Sequence, residues 1–253
     1  MTTTLDLADR VHLVEHAHTN CYLLVEDGAV TVVDACFGST WPEVKRVLKT
    51  LSLTPAAISA LVLTHGHFDH VGFAAHLQTR YGVPVWVHAA DQRLAAHPYR
   101  YRPEQNRALF PLRHPRSLPI LASMVAAGAL AVRGVAADHT FADGDVLDVP
   151  GRPRVVHLPG HTDGECAFHV EERSVLFSGD ALVTLDPYTG RRGPGLVAPA
   201  ATADSAAARA SLDRLVTLEA RTVLPGHGRP WKDGLGAAVA LAQRQAAAPV
   251  STP

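Results

Sequence analysis

The chain has 253 residues, of which 47% are apolar and 19% charged. This balance excludes the low-hydrophobicity, high-charge class of disordered chains and leaves ample material for a buried core. A formal net charge of -1 offers no broad attraction to a polyanion, so nucleic acid is not an expected partner.

The length suits one α/β domain, and a single domain over 1–253 is the expectation. The start, MTTTLDLADR, lacks a basic segment followed by an apolar one, and no stretch approaches about 18 uninterrupted apolar residues. A cytoplasmic protein with no membrane partner is therefore expected. Cys21, Cys36 and Cys166 form no CxxC pair, which argues against a disulfide frame or a zinc finger and for small buried residues.

Taken in chain order, NCYLLVEDGAVTVVDACFG holds two β-rich runs joined by Asp27-Gly28, a dipeptide suited to a type I′ hairpin turn. WPEVKRVLKTLSL spaces Val44, Val47, Leu48 and Leu51 as a helix does, with Pro42 tolerated in the first turn. ISALVLTH reads as a buried strand ending near Thr64, VGFAAHLQTRYG as a helix closed by Gly82, and VPVWVHAAD as the next strand of a βαβ unit. Residues 91–140 are proline-rich and are expected to be an inserted helical or loop segment, with a helix in SLPILASMVAAGAL.

Strands return in DGDVLDV, RVVHLPGH, ECAFHVEE and SVLFSGD. SAAARASLDRLVTLEA predicts one helix, RTVLPGHG a strand and loop, and GLGAAVALAQRQAAA a last helix before a frayed end at 248–253. GPGLVA imitates dinucleotide-loop glycine spacing, but Pro194 and its context predict a turn.

The chemistry concentrates in LVLTHGHFDHVG. His65, His67, Asp69 and His70 put four groups able to hold a metal on one loop, directly after an apolar strand. If residues 65 and 67 are extended, their side chains project to the same side, leaving Asp69 and His70 to face a second position. Three further strands run into turns with similar residues: PGHT carries His161, SGD carries Asp180, and PGHG carries His227. Strand ends at one sheet edge converge in space while distant in sequence, and seven groups are enough for two metals. His12, His16, His18, His76, His88, His97, His114, His139, His157 and His169 have no companion motif and read as ordinary surface or core histidines.

The order THGHFDH, PGHT, SGD, PGHG resembles the metallo-β-lactamase fold superfamily, from the hairpin at Asn20 to about Trp231. The resemblance implies an α/β fold, a four-layer αββα sandwich of two facing mixed β-sheets flanked by helices, with a metal site at one edge. Residue by residue it implies one metal on His65, His67 and His161 and another on Asp69, His70 and His227, with Asp180 bridging. Two divalent cations, zinc with iron or manganese as alternatives, sharing a hydroxide would give a nucleophile at neutral pH. Asp69 would orient it and move a proton, so Asp69 is the expected catalytic residue.

Asp180 sets the chain apart from the best-known β-lactamase subgroups, where that position is typically not a bridging aspartate. The full set resembles glyoxalase II thioesterases and N-acyl homoserine lactonases. The GCGR segment typical of glyoxalase II and of persulfide dioxygenases is replaced by ALVTLDPYTGRRGPG. The expectation is a metallo-hydrolase acting on a small-molecule ester, lactone or thioester. Two alternatives remain, a mononuclear iron oxygenase of the persulfide dioxygenase type using His65, His161 and Asp180, and a catalytically silent metal-binding module. Tyr99, Arg100, Tyr101 and Arg102 form a local basic and aromatic cluster, too narrow for a nucleic-acid footprint but able to contact an anionic small substrate. Tyr188, Arg191 and Arg192 either line the pocket or belong to a surface loop.

Overall fold

The first pairing comes earlier in the chain than the hairpin read from the sequence. β1 (Thr2–Ala8) and β2 (Val11–His16) pair antiparallel, and β2 pairs with β3 (Thr19–Glu26), whose partner is β4 (Ala29–Val33). The sequence reading passed over β1 because its residues alternate weakly between exposed and half-buried, as befits an edge strand. Asp27 and Gly28 take φ of 50° and 80°, the left-handed pair a type I′ turn requires. The computed structural model describes residues 1–107 and 110–247, so the expected frayed end at 248–253 lies outside the described residues.

α1 (Trp41–Thr50) leads to β5 (Ile58–Val62), α2 (Ala74–Tyr81) and β6 (Val85–His88), with β4, β5 and β6 parallel. Gly82 closes α2 with φ of 67°, a left-handed cap that a Cβ would strain. The 91–140 segment holds α3 (Gln92–Ala96), α4 (Phe110–Arg113) and α5 (Leu118–Ala126), and its end enters β7 (His139–Phe141), parallel to β6. These strands form one seven-stranded sheet in sequence order from β1 to β7.

The second half builds β8 (Arg154–His157), β9 (Cys166–Val170), β10 (Val175–Gly179) and the ribbon of β11 (Val183–Leu185) and β12 (Arg192–Gly195). It closes with α6 (Ser205–Ser211), β13 (Thr222–Pro225) and α7 (Leu235–Ala247). A four-stranded sheet in the order β13-β10-β9-β8 results, with β10 and β13 parallel. Three expectations are corrected. DGDVLDV contributes only a single bridge, Val146 to Arg154. The helix begun at Ser205 tightens into a 3-10 turn at Leu212–Leu215, whose i, i+3 spacing stacks the buried Leu212 and Leu215 on one side. Arg192–Gly195 is a strand rather than a turn, tolerating Pro194 because a two-stranded ribbon leaves half its donors unpaired.

Side-chain alternation distributes the larger apolar clusters over the faces of the two sheets. Tyr22, Leu24, Val33 and Val62 face Val155, Phe168, Phe177 and Leu224, filling the space between the sheets. Tyr22 meets Phe177 edge-on at 5.3 Å, and Phe141 meets Phe168 at 5.5 Å. Such pairs are worth about 0.5–1.5 kcal/mol each beyond area burial. The outer face of the first sheet, with Leu23, Val32, Leu61 and Leu63, packs on Val44, Leu48 and Leu77 of α1 and α2 and on Ile120 and Met124 of α5. That of the second, with Leu176 and Val223, packs on Leu212, Leu235 and Val239. Helix, sheet, sheet, helix is the resulting layer order. The carboxyl ends of β4 and β5 in one sheet and of β10 and β13 in the other open on the same edge, where Tyr22 Oη donates to Pro225 O at 2.7 Å across the sheets.

Candidate metal centre

β5 stops at Val62, two residues short of the expected end, because Thr64 turns its backbone donor away from the ladder. The Thr64 N–H donates to Asp34 Oδ1 at 2.8 Å. The loop that follows carries His65, His67, Asp69 and His70, and is pressed so closely on α3 that a Cβ on Gly66 would come within 2.6 Å of Ala95 N. His161 arrives from the loop after β8. One donor atom each of His65, His67 and His161 lies within 4.8 Å of the others, all three side chains being buried. His67 turns Nδ1 toward His161 Nε2 at 2.9 Å.

A second group, Asp69, His70 and His227, meets the same 4.8 Å criterion, as do His65, His70 and Asp180. Asp180, the first residue past β10, sits between the groups: Oδ2 is 3.2 Å from His227 Nε2 and 3.4 Å from His161 Nε2, and Oδ1 is 3.7 Å from His70 Nε2. Asp69 Oδ2 is 3.3 Å from His227 Nε2. Gly226 makes the approach of His227 possible, since a Cβ there would come within 2.2 Å of Asp180 Oδ1 and 2.7 Å of His70 Cε1. All seven residues singled out in the sequence are thus brought to one sheet edge.

The family model described as Metallo-beta-lactamase superfamily matches residues 15–227. The chain belongs to that superfamily. An uncharacterized protein of Mycobacterium tuberculosis is 31% identical over 218 residues, covering 83% of this chain and 85% of that one. The hydroxyacylglutathione hydrolase GloC of Haemophilus influenzae is 30% identical over 165 residues, covering 64% and 66%. Among solved structures, a metallo-beta-lactamase family protein of Thermus thermophilus superimposes with a TM-score of 0.68 at 27% identity, covering 94% of this chain and 80% of that one.

Membership of this superfamily of metallo-hydrolases implies divalent metal ions, and the donor set fits them. His65 Nε2, His67 Nε2, His70 Nε2 and Asp180 Oδ1 are buried without a hydrogen-bond partner, a costly arrangement unless a cation meets some of them. In His65, His70, His161 and His227 the Nδ1 atom is held from behind, as ligating imidazoles require, whereas His67 turns Nδ1 into the cluster. His70 Nδ1 contacts Asp34 Oδ2 at 2.9 Å, and His227 Nδ1 contacts the His18 carbonyl at 2.8 Å. His65 Nδ1 lies 3.2 Å from Glu165 Oε2 and 3.0 Å from Thr64 Oγ1, and His161 Nδ1 lies 3.3 Å from Thr202 Oγ1.

Electrostatics divide the histidines. Burial, with neighbouring imidazoles, holds His65 and His67 well below the ordinary histidine value, and burial lowers His161 to about 4. These three are neutral, the form a metal binds. Burial also disfavours the charge on His70 and His227, but Asp34 and Asp180 outweigh it at His70, and Asp180 and Asp69 outweigh it at His227. Asp180 itself is held well below the carboxylate range, because His227 and His70 overcome its burial. Burial and Asp180 push Glu165 up.

Several of these partners escaped the sequence reading. Asp34 ends β4 as Asp180 ends β10, a repeated signal that could have flagged it. His18, read as ordinary, enters through its carbonyl alone, which no side-chain motif can announce. Asp91 is buried and accepts from Gly66 N at 2.9 Å, Thr162 Oγ1 at 2.8 Å and Gly164 N at 2.8 Å. It therefore joins the loop of His65 and His67 to that of His161. Tyr101 and Tyr188 line the pocket beside the donor cluster with Phe68, Met124, Val197 and Ala201. Tyr99 instead donates to Ala129 O, and Arg191 to Leu196 O.

Proposed function

We propose that the protein is a metal-dependent hydrolase of small acyl compounds, a thioester, ester or lactone, with two divalent cations, zinc in the first instance. His65, His67 and His161 would hold one cation and Asp69, His70 and His227 the other, with Asp180 within reach of both groups. The observation that carries this reading is the buried cluster itself, seven donors from both sheets, among them His65 Nε2, His70 Nε2 and Asp180 Oδ1 left without a hydrogen-bond partner. The relative named as a hydroxyacylglutathione hydrolase supports the thioester within that class.

When bound, such cations supply a hydroxide nucleophile at neutral pH and polarise a carbonyl oxygen. The chain does the rest. Asp69 reaches the pocket surface beside His227, placed to orient the attacking oxygen and to carry its proton toward the leaving group. Asp34 fixes the His70 ring and, through Thr64, the start of the donor loop. Met124, Val197 and Ala201 give the pocket apolar walls that exclude competing water.

Metal content of protein purified without added metal, followed by assay of thioester, ester and lactone substrates on the same sample, tests the reading. About two metals per chain with hydrolysis of one class is the expected result. One iron per chain with oxygen uptake overturns it in favour of the oxygenase. Full metal loading with no turnover of any class overturns it in favour of a silent metal-binding module.

A further inference from the structure

The pocket beside the donor cluster has a second polar wall that the hydrolytic chemistry does not use. Tyr101 comes from the stretch after α3 and Tyr188 from the turn joining β11 to β12, two segments outside the donor loops. The Tyr101 ring lies 4.1 Å from that of His67, which fixes it against the three-histidine group. Tyr101 and Tyr188 line the pocket together, and the Arg107 guanidinium carbon lies 5.1 Å from the Tyr101 ring centroid. A phenol hydroxyl at neutral pH can both donate and accept a hydrogen bond.

Arg107 is exposed, its electrostatic neighbours are the two phenols, and among the described residues no carboxylate forms an ion pair with it. Among the described residues this cation has no carboxylate partner, and beside a pocket lined by two phenols it is complementary to an anion. The planar guanidinium fork matches a carboxylate in particular. Met124, Val197 and Ala201 line the same pocket and offer apolar surface to an acyl chain.

We propose that Tyr101, Tyr188 and Arg107 form a carboxylate-binding wall that selects acyl substrates bearing a terminal carboxylate on the acyl chain. This rests on the hydrolase reading above and names its substrate class. The phenols meet the bound acyl group inside the pocket, and Arg107 meets its charge at the rim.

The test uses thioesters of N-acetylcysteamine in matched pairs, succinyl against butyryl and glutaryl against valeryl, each pair differing by a carboxylate in place of a methyl. Thiol release by the metal-loaded protein should show at least one carboxylated member preferred by about tenfold or more in kcat/KM, the scale of a charge-assisted hydrogen bond. Arg107→Ala should bring that ratio to near one, and Tyr188→Phe should reduce it. Arg80→Ala, on the exposed end of α2, should keep it. Raising ionic strength should erode the preference in the native protein and not in Arg107→Ala. No preference in the native protein, or one unchanged in Arg107→Ala, overturns the proposal. If none of the four thioesters is hydrolysed, the thioesterase reading fails, and calorimetric binding of the same probes decides the wall by itself. Tighter binding of the carboxylated probes, lost in Arg107→Ala, supports it; equal affinities overturn it.

Discussion

Asp91 is where the two halves of the site are tied together, and its removal makes the sharpest test of how the three-histidine group is built. Asp91→Ala deletes a buried carboxylate that accepts from Gly66 N, Thr162 Oγ1 and Gly164 N at 2.8–2.9 Å. Each buried donor left without a partner costs about 1–3 kcal/mol. Three of them, partly relieved by water entering the space, give a loss of about 3–5 kcal/mol. At about 2–4 °C per kcal/mol for a chain of this size, the chelated protein should melt about 6–20 °C lower.

The same carboxylate sets the spacing between the loop of His65 and His67 and the loop of His161. Metal affinity at that group should fall about 10- to 100-fold, as when a residue orienting a ligand is removed. Competition with a chromophoric chelator measures the affinity, and calorimetry with and without EDTA measures the melting. Asp91→Asn keeps one acceptor but turns an NH2 toward a donor, so it should fall between the native protein and Asp91→Ala in both readouts. A variant Asp91→Ala that melts within about 1 °C of the native protein and binds metal with undiminished affinity would refute the reasoning.

Asp69→Asn should retain the fold and lose turnover by at least about a hundredfold, the scale of a general acid–base residue, as read by steady-state kinetics on metal-loaded protein. Gly226→Ala drives a Cβ toward Asp180 Oδ1 and His70 Cε1, so metal analysis should show depleted metal even where circular dichroism shows a folded chain. Tyr22→Phe removes the donor to Pro225 O that joins the sheets at the site edge, and urea unfolding should show a loss of about 1 kcal/mol. Removal of metal by EDTA should lower Tm in proportion to the binding energy lost and restore it on addition of zinc.

The regular elements were legible where local chemistry is strong. Asp27-Gly28 could only turn one way, Gly82 could only cap, and the apolar run at Ile58–Val62 had to be buried on both faces. The site was legible to the same degree because its donors are side chains with distinctive types, each placed where an apolar strand gives out. β1 was missed because an edge strand has little burial pattern to show, and the helix at Ser205 was overextended because composition cannot reveal a 3-10 turn made to seat Leu212 and Leu215.

What the sequence determined by itself is the inventory: two β-rich halves, seven groups able to hold metal, and the glycines that let those groups approach. Only the tertiary structure decided which groups meet. It set His161 against His67, put Asp180 between the two clusters, drew in the His18 carbonyl, and made Asp91 a joint between the loop of Gly66 and the loop of Thr162. The reason is physical. A residue's type and local pattern fix what it can do, but distances between strand ends depend on how two sheets pack, and that packing is set by the core between them.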